Sequence, residues 1–164
     1  MLTKSARARK IDINENSDSL FALLGKITKS NPHVLPFETK EKFLDFFTKK
    51  HKSEAWAWND SQGNLVGFFS LIDMPKEGTM ELLAIGVDPE FQNKGYGKQM
   101  IAFAEKLALK NGRRKMMLVT NKKNLPAISF YKRRGYVSIK EIYDYYGDGE
   151  TRCLFEKTLV EDSP

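Results

Sequence analysis

The chain has a single cysteine, two histidines and two tryptophans in 164 residues. It also has no apolar run near the roughly 20 residues that span a bilayer. Each scarcity excludes something. Cys153 alone can form no internal disulfide, so stability must come from a core, and a lone thiol suits a reducing cytoplasm. Cys153 lies in the alternating stretch Thr151-Arg152-Cys153-Leu154-Phe155, with no histidine beside it to lower its pKa, and reads as a structural strand residue. With so few His and Cys, no cluster has metal-ligand spacing, so no metal is expected. The basic start Met1 to Lys10 is followed by no apolar segment, which argues against a signal peptide. No Gly-Lys-Ser/Thr ending occurs, which excludes a P-loop nucleotidase. Repeats, low-complexity tracts and Pro/Gly/Ser linkers are absent too.

Among what is present, 41% of residues are hydrophobic and 29% charged, as in a soluble globular chain rather than a disordered one. The length suits one domain, expected over 1–164. The net charge of +6 includes Arg113-Arg114-Lys115, Lys122-Lys123 and Lys132-Arg133-Arg134. Such groups serve nucleic acid, an anionic cofactor or plain solubility, and charge alone does not choose.

Periodicity predicts the elements. A short strand covers Lys10 to Ile13. A helix capped by Asn16 or Ser17 carries Leu20, Phe21, Leu24 and Ile27 on one face and stops at Ser30-Asn31-Pro32-His33. A second helix starts near Thr39 with Phe43, Leu44, Phe46 and Phe47. Strands at Glu54–Trp58 and Leu65–Ile72 make a hairpin across a turn-rich connection, and Met80 to Val87 is a further strand. A strongly amphipathic helix runs from Gly97 to Lys110 and closes at Asn111-Gly112. Then come a strand at Lys115–Thr120, a short helix at Pro126–Arg134, and a last hairpin of Tyr136–Tyr143 with Thr151–Leu159. The strand-helix-strand order in the second half implies partly parallel pairing, hence a mixed α/β sheet of six to seven strands flanked by about four helices.

The most informative segment is Val87-Asp88-Pro89-Glu90-Phe91-Gln92-Asn93-Lys94-Gly95-Tyr96-Gly97-Lys98. A strand ends, and a long helix starts at two closely spaced glycines. Unpaired N–H groups and partial positive charge at a helix start favour an anion. Gly95 and Gly97 carry no Cβ, so phosphate oxygens can approach the backbone, and Lys94 and Lys98 add charge. The same glycines could merely shape a tight loop. Met100 stands where a dinucleotide fingerprint needs its third glycine. Further on, Asn124 can cap the short helix, on which Ala127, Phe130 and Tyr131 share a face. Tyr131 offers a phenol, or is simply a half-buried core ring.

Together, Val87-x-Pro89-x-x-Gln92-x-x-Gly95-x-Gly97 and Asn124-x-x-Ala127-x-x-Phe130-Tyr131-x-x-x-Gly135-Tyr136 resemble the GNAT superfamily of N-acetyltransferases. The resemblance is close over Glu81 to Tyr136, with no departure at the motif positions. It implies acetyl-CoA as co-substrate, with a strand that splays from its parallel neighbour at a bulge. It implies that Ile85, Gly86 and Val87 meet the pantetheine through their backbone. Gln92, Asn93, Lys94, Gly95, Tyr96, Gly97 and Lys98 would hold the pyrophosphate, Asn124 and Tyr131 would complete the donor site, and Lys132 to Arg134 could meet the adenosine phosphates. Direct attack by an amine in a ternary complex would then have Tyr131 as general acid and Glu81 as candidate base, with His33 and His51 as alternatives. The acidic, aromatic loop Tyr143 to Glu150 would border the acceptor. That acceptor is a small-molecule or protein amine; polyamine, aminoglycoside, amino acid and protein N-terminus or lysine all stay open. Expected further are no membrane or nucleic-acid partner, a cytoplasmic location, and a monomer or homodimer. The competing readings are a catalytically inactive acyl-CoA sensor of the same fold and a basic nucleic-acid binder.

Overall fold

A computed structural model describes residues 7–161. Part of the basic N-terminal stretch therefore lies outside the described residues. Seven strands form one sheet in the order β1-β2-β3-β4-β5-β7-β6. They are β1 (Arg7–Ile11), β2 (Glu54–Asn59), β3 (Leu65–Met74), β4 (Thr79–Val87), β5 (Lys115–Asn121), β6 (Val137–Tyr143) and β7 (Thr151–Thr158). Only β4 and β5 pair in parallel; every other neighbour is antiparallel. The mixed sheet expected from the element order is present.

Four α-helices cover the two faces. Helices α1 (Ser17–Ser30) and α2 (Lys40–Leu44) bury Leu20, Leu23, Leu24, Ile27 and Phe43 against Ala55, Ala57, Phe68 and Leu83. On the opposite face α3 (Tyr96–Lys110) and α4 (Leu125–Arg133) pack Met100, Ile101, Ala104, Ala108 and Tyr131 on Val66, Phe69, Leu82, Leu118 and Phe155. Each fully buried Leu, Ile, Val, Phe or Met side chain stabilises by about 1.5–3 kcal/mol. Two cores therefore clamp one sheet, and the strands between them have apolar residues on both faces.

Local differences from expectation have local causes. The first strand ends at Ile11 because Asp12 Oδ1 accepts from the Asn14 amide at 2.8 Å, a turn that competes with the ladder. Asn16 precedes α1, but its side chain donates to Asp12 O at 2.7 Å rather than capping the helix. Thr39 does cap α2, accepting from the Lys42 amide at 3.2 Å. The second helix does not stay α-helical: Asp45–Lys50 is a π-helical turn, closed by the His51 amide on Phe46 O at 3.1 Å. The extra residue per turn rotates Phe46 and Phe47 relative to Phe43 and builds an aromatic cluster with Phe37, with ring centroids 5.0–5.9 Å apart.

A bulge and a divergence prepare the site. Along β3 and β4, Ser70 pairs with Ala84 and Leu71 with Leu82, which leaves Leu83 without an opposite residue. Pairing of β4 with β5 stops at the same level, at Leu82 and Leu118, although both strands continue. From Leu83 to Val87 the edge of β4 that faces β5 is unpaired, while β5 stays bonded to β7. The splay expected of the strand before the glycine turn is thus a feature of the sheet.

Candidate active site

The gap between the diverging strands opens on both faces. Toward α1 it becomes a cavity of about 250 Å³, and toward α3 and α4 a groove of about 790 Å³. Ile85, Gly86, Val87, Gln92, Ala127 and Tyr131 line both, so the two spaces meet at the splay.

The groove is built around the glycine turn. Asp88 ends the strand: its amide bonds Val66 O at 2.8 Å, and its carboxylate accepts from the Glu90 amide at 2.9 Å and from Lys26 Nζ at 3.1 Å. The chain then passes through left-handed backbone at Asn93 (φ 62°) and Gly95 (φ 86°) before α3 begins. The first-turn amides of a helix have no intrahelical partner, and a start of this kind beside a groove suits anions. Gly97 lies beside the Phe130 ring, where a Cβ would sit in ordinary contact at 3.5 Å. Gln92, Asn93, Gly95, Tyr96, Gly97 and Lys98 line the groove. Lys94 does not; its Nζ lies 5.3 Å from the Phe91 ring centroid. Of the three basic residues after Tyr131, only Arg134 reaches the groove, stacked 4.2 Å from the Phe130 ring centroid with its Nε buried and unpaired.

Asn124 is buried at the N-terminus of α4, where Oδ1 accepts from the Ala127 amide at 3.4 Å and from Asn31 Nδ2 at 3.1 Å. This links the end of α1 to the start of α4 across the junction. Tyr131 packs against Tyr136 and Phe155, and burial pushes its phenol well above the ordinary tyrosine range. It stays protonated throughout the working range, as a standing donor at the junction.

Glu81 is 8% exposed, and burial raises its carboxyl above the usual range. It does not line the cavity. It lies close enough to Tyr145 and Tyr146 to raise both phenols, after their burial. His33 lines both spaces, whereas His51 lies behind the cavity, 4.4 Å from the Phe46 ring. Burial, then Lys50, lowers the pKa of His51.

Sequence reasoning placed the loop Tyr143 to Glu150, and so Tyr146, beside the acceptor, but gave no site role to the other side chains that shape the cavity beyond the junction. Phe37, Phe46 and Phe47 come from α2 and its flanks, Phe68 from β3, and Tyr146 and Arg152 from the last hairpin. Phe46 and Tyr146 meet at 5.5 Å, so the hairpin tip docks on the π-helical turn. Only the acidic, aromatic composition of the tip signalled that it borders the site.

A mixed sheet whose one parallel pair splays before a glycine turn at a helix start is the architecture of acyl-CoA-dependent acyltransferases, as the motifs implied. Residues 19–136 match the acetyltransferase (GNAT) family, and the chain belongs to it. Acetyltransferases of this family use acetyl-CoA as donor. Among curated relatives, an uncharacterised N-acetyltransferase of Methanocaldococcus jannaschii is 30% identical over 120 residues, 62% of this chain and 53% of that protein. The mycothiol acetyltransferase of Pseudarthrobacter chlorophenolicus is 33% identical over 81 residues, 47% of this chain and 25% of that protein. The chain thus spans about half or less of the relatives it matches. Among solved structures, PaiA N-acetyltransferase of Thermoplasma acidophilum in complex with coenzyme A aligns over 94% of this chain and 99% of its own, with 21% identity and a TM-score of 0.72. Spermidine/spermine N-acetyltransferase SpeG of Vibrio cholerae covers 96% of this chain and 95% of its own, with 17% identity and a TM-score of 0.70. At such identities these likenesses bear on fold alone. No described helix is long and apolar enough to cross a membrane.

Proposed function

We propose that this chain is a single N-acetyltransferase domain that moves the acetyl group of acetyl-CoA to a primary amine within a ternary complex. The carrying observation is that a groove floored by left-handed backbone at Asn93 and Gly95 runs through the β4–β5 splay into a second cavity, with Tyr131 at the junction. One compartment suits the donor, the other the acceptor.

Acetyl-CoA supplies an activated thioester. The amides from Gln92 to Lys98 would face the diphosphate, helped by the charges of Lys98 and Arg134. The unpaired edge of β4 from Leu83 to Val87 offers main-chain groups to an amide-bearing arm, as an added strand would. A β4 amide near Val87 is the donor available to the carbonyl oxygen as charge develops there. Tyr131 then donates a hydrogen bond to the leaving sulfur. Full proton hand-over is uphill, because a thiol of pKa about 8.5 is a stronger acid than a phenol pushed above 10. Tyr131 therefore stabilises the thiolate, and the attacking amine's surplus proton balances the charge. Glu81, set back behind Tyr146, would accept that proton through a water; its raised carboxyl makes it a better base than an ordinary carboxylate.

The experiment is a thiol-release assay with acetyl-CoA across amine classes, run beside calorimetry of coenzyme binding. Release that depends on both amine and Tyr131 supports the enzyme. Tight coenzyme binding with no release from any amine would turn the reading toward a sensor.

A further inference from the structure

If acetyl transfer occurs at this site, its acceptor lobe has a chemistry of its own. Among the residues lining the cavity there is no aspartate and no glutamate. Its far wall is aromatic: Phe37, Phe46, Phe47, Phe68 and Tyr146. The fixed charge at its border is a cation. Arg152, 3% exposed, lines the cavity and stacks 4.6 Å from the Tyr146 ring centroid.

Two carboxylates that act on Tyr146 are not available to a guest. Asp148 is held by Arg152 Nη1 and Nη2 at 2.7 Å each, a bidentate pair that occupies both oxygens and keeps its carboxyl below the usual range. Glu81 is buried and does not reach the cavity wall. The Tyr146 face that could receive an ammonium is already covered by the guanidinium. A second ammonium on the acceptor would thus be desolvated with no carboxylate and no open Tyr146 face to pair it, because Arg152 occupies both. For a monoamine the same burial helps: desolvation disfavours the ammonium, and each unit by which the amine's pKa falls from about 10.4 gives roughly tenfold more of the attacking neutral form.

We infer that the acceptor is a primary amine on an aromatic or large apolar body with no second cation, and that Arg152 is the residue that rejects polycations. This rests on the acetyl-transfer reading above and distinguishes the chain from the spermidine acetyltransferase whose fold it shares. The test compares phenethylamine with spermidine in the thiol-release assay, using the full chain and its Arg152→Gln variant. The wild type is expected to prefer phenethylamine at least tenfold in kcat/KM. The variant should lower that ratio at least tenfold by admitting spermidine, and a ratio is insensitive to the fraction of folded protein. Phe46→Ala, at the wall, should raise the KM for phenethylamine more than that for spermidine, which keeps the test open if Arg152→Gln does not fold. A wild type that prefers spermidine, or a ratio unmoved by Arg152→Gln, overturns the inference while leaving acetyl transfer intact. No thiol from any amine overturns both.

Discussion

The donor groove and the acceptor lobe meet at Tyr131 but are built differently. The groove is made of backbone: two residues with positive φ, an unpaired strand edge and a helix start, supplied by two short segments. The lobe is made of side chains from α1, the π-helical turn, β3 and the last hairpin. A backbone site serves any chain that can form the turn, so its motif is local and general. A side-chain site is particular to one molecule and has no motif. Donor recognition and acceptor choice should therefore respond to different substitutions.

The largest expected effect lies at the junction, which belongs to both. Tyr131→Phe should lower kcat by about 10²-fold or more, with the coenzyme dissociation constant changed less than threefold (roughly 0.6 kcal/mol). Single-turnover thiol release beside calorimetry reads both quantities, and an unchanged kcat would remove Tyr131 from the chemistry.

Gly95→Ala comes next. Nothing lies within 4 Å of a Cβ there, but φ is 86°, so the substitution acts through backbone strain of about 1–2 kcal/mol. The dissociation constant for acetyl-CoA should rise about tenfold, while the acceptor's KM stays put. Phe46→Ala should do the reverse. If either variant moves both constants equally, the two compartments are not separable.

Glu81→Gln sharpens the account through pH. Burial raises the folded carboxyl pKa above its unfolded value, so the stability Glu81 contributes is full below the unfolded pKa and is lost as pH rises through the folded one. The variant escapes that loss. It should melt about 2–4 °C higher than the wild type at pH 8, with the difference closing toward pH 4. If Glu81 accepts the proton, the same variant also loses the acidic limb of the pH–rate profile. A higher melting point with an unchanged profile would mark Glu81 as structural only.

The smallest effect is expected at Cys153, a buried thiol in β7 whose pKa is raised by burial and then by Glu141. Cys153→Ala should leave kcat/KM within twofold and cost about 1 kcal/mol of stability. A large loss of rate would reopen covalent catalysis.

What could be read beforehand follows the same division. The donor turn lies in one run of residues, with Gly95 where φ is positive, so chain order sufficed. The helices α1, α3 and α4 were legible because single apolar stripes face single cores. The π-helical turn was not: Phe43, Leu44, Phe46 and Phe47 fit an α-helix, and only packing on Phe37 and Tyr146 makes the wider turn visible. The bulge left no local trace: Leu82 and Leu83 lie on opposite faces, as successive residues of any strand do. The Asn31–Asn124 bond spans 93 residues and Arg152 reaches its wall through the sheet, so neither has a local signature.

The most direct test of the central claim is calorimetric titration of the purified chain with acetyl-CoA, repeated with dephospho-CoA and with pantetheine, which lacks the diphosphate. The account predicts saturable binding of both diphosphate-bearing ligands and a loss of at least tenfold in affinity for pantetheine, since the amides of residues 92–98 would hold the diphosphate. Equal affinity for pantetheine and acetyl-CoA, or no heat from either, would contradict it.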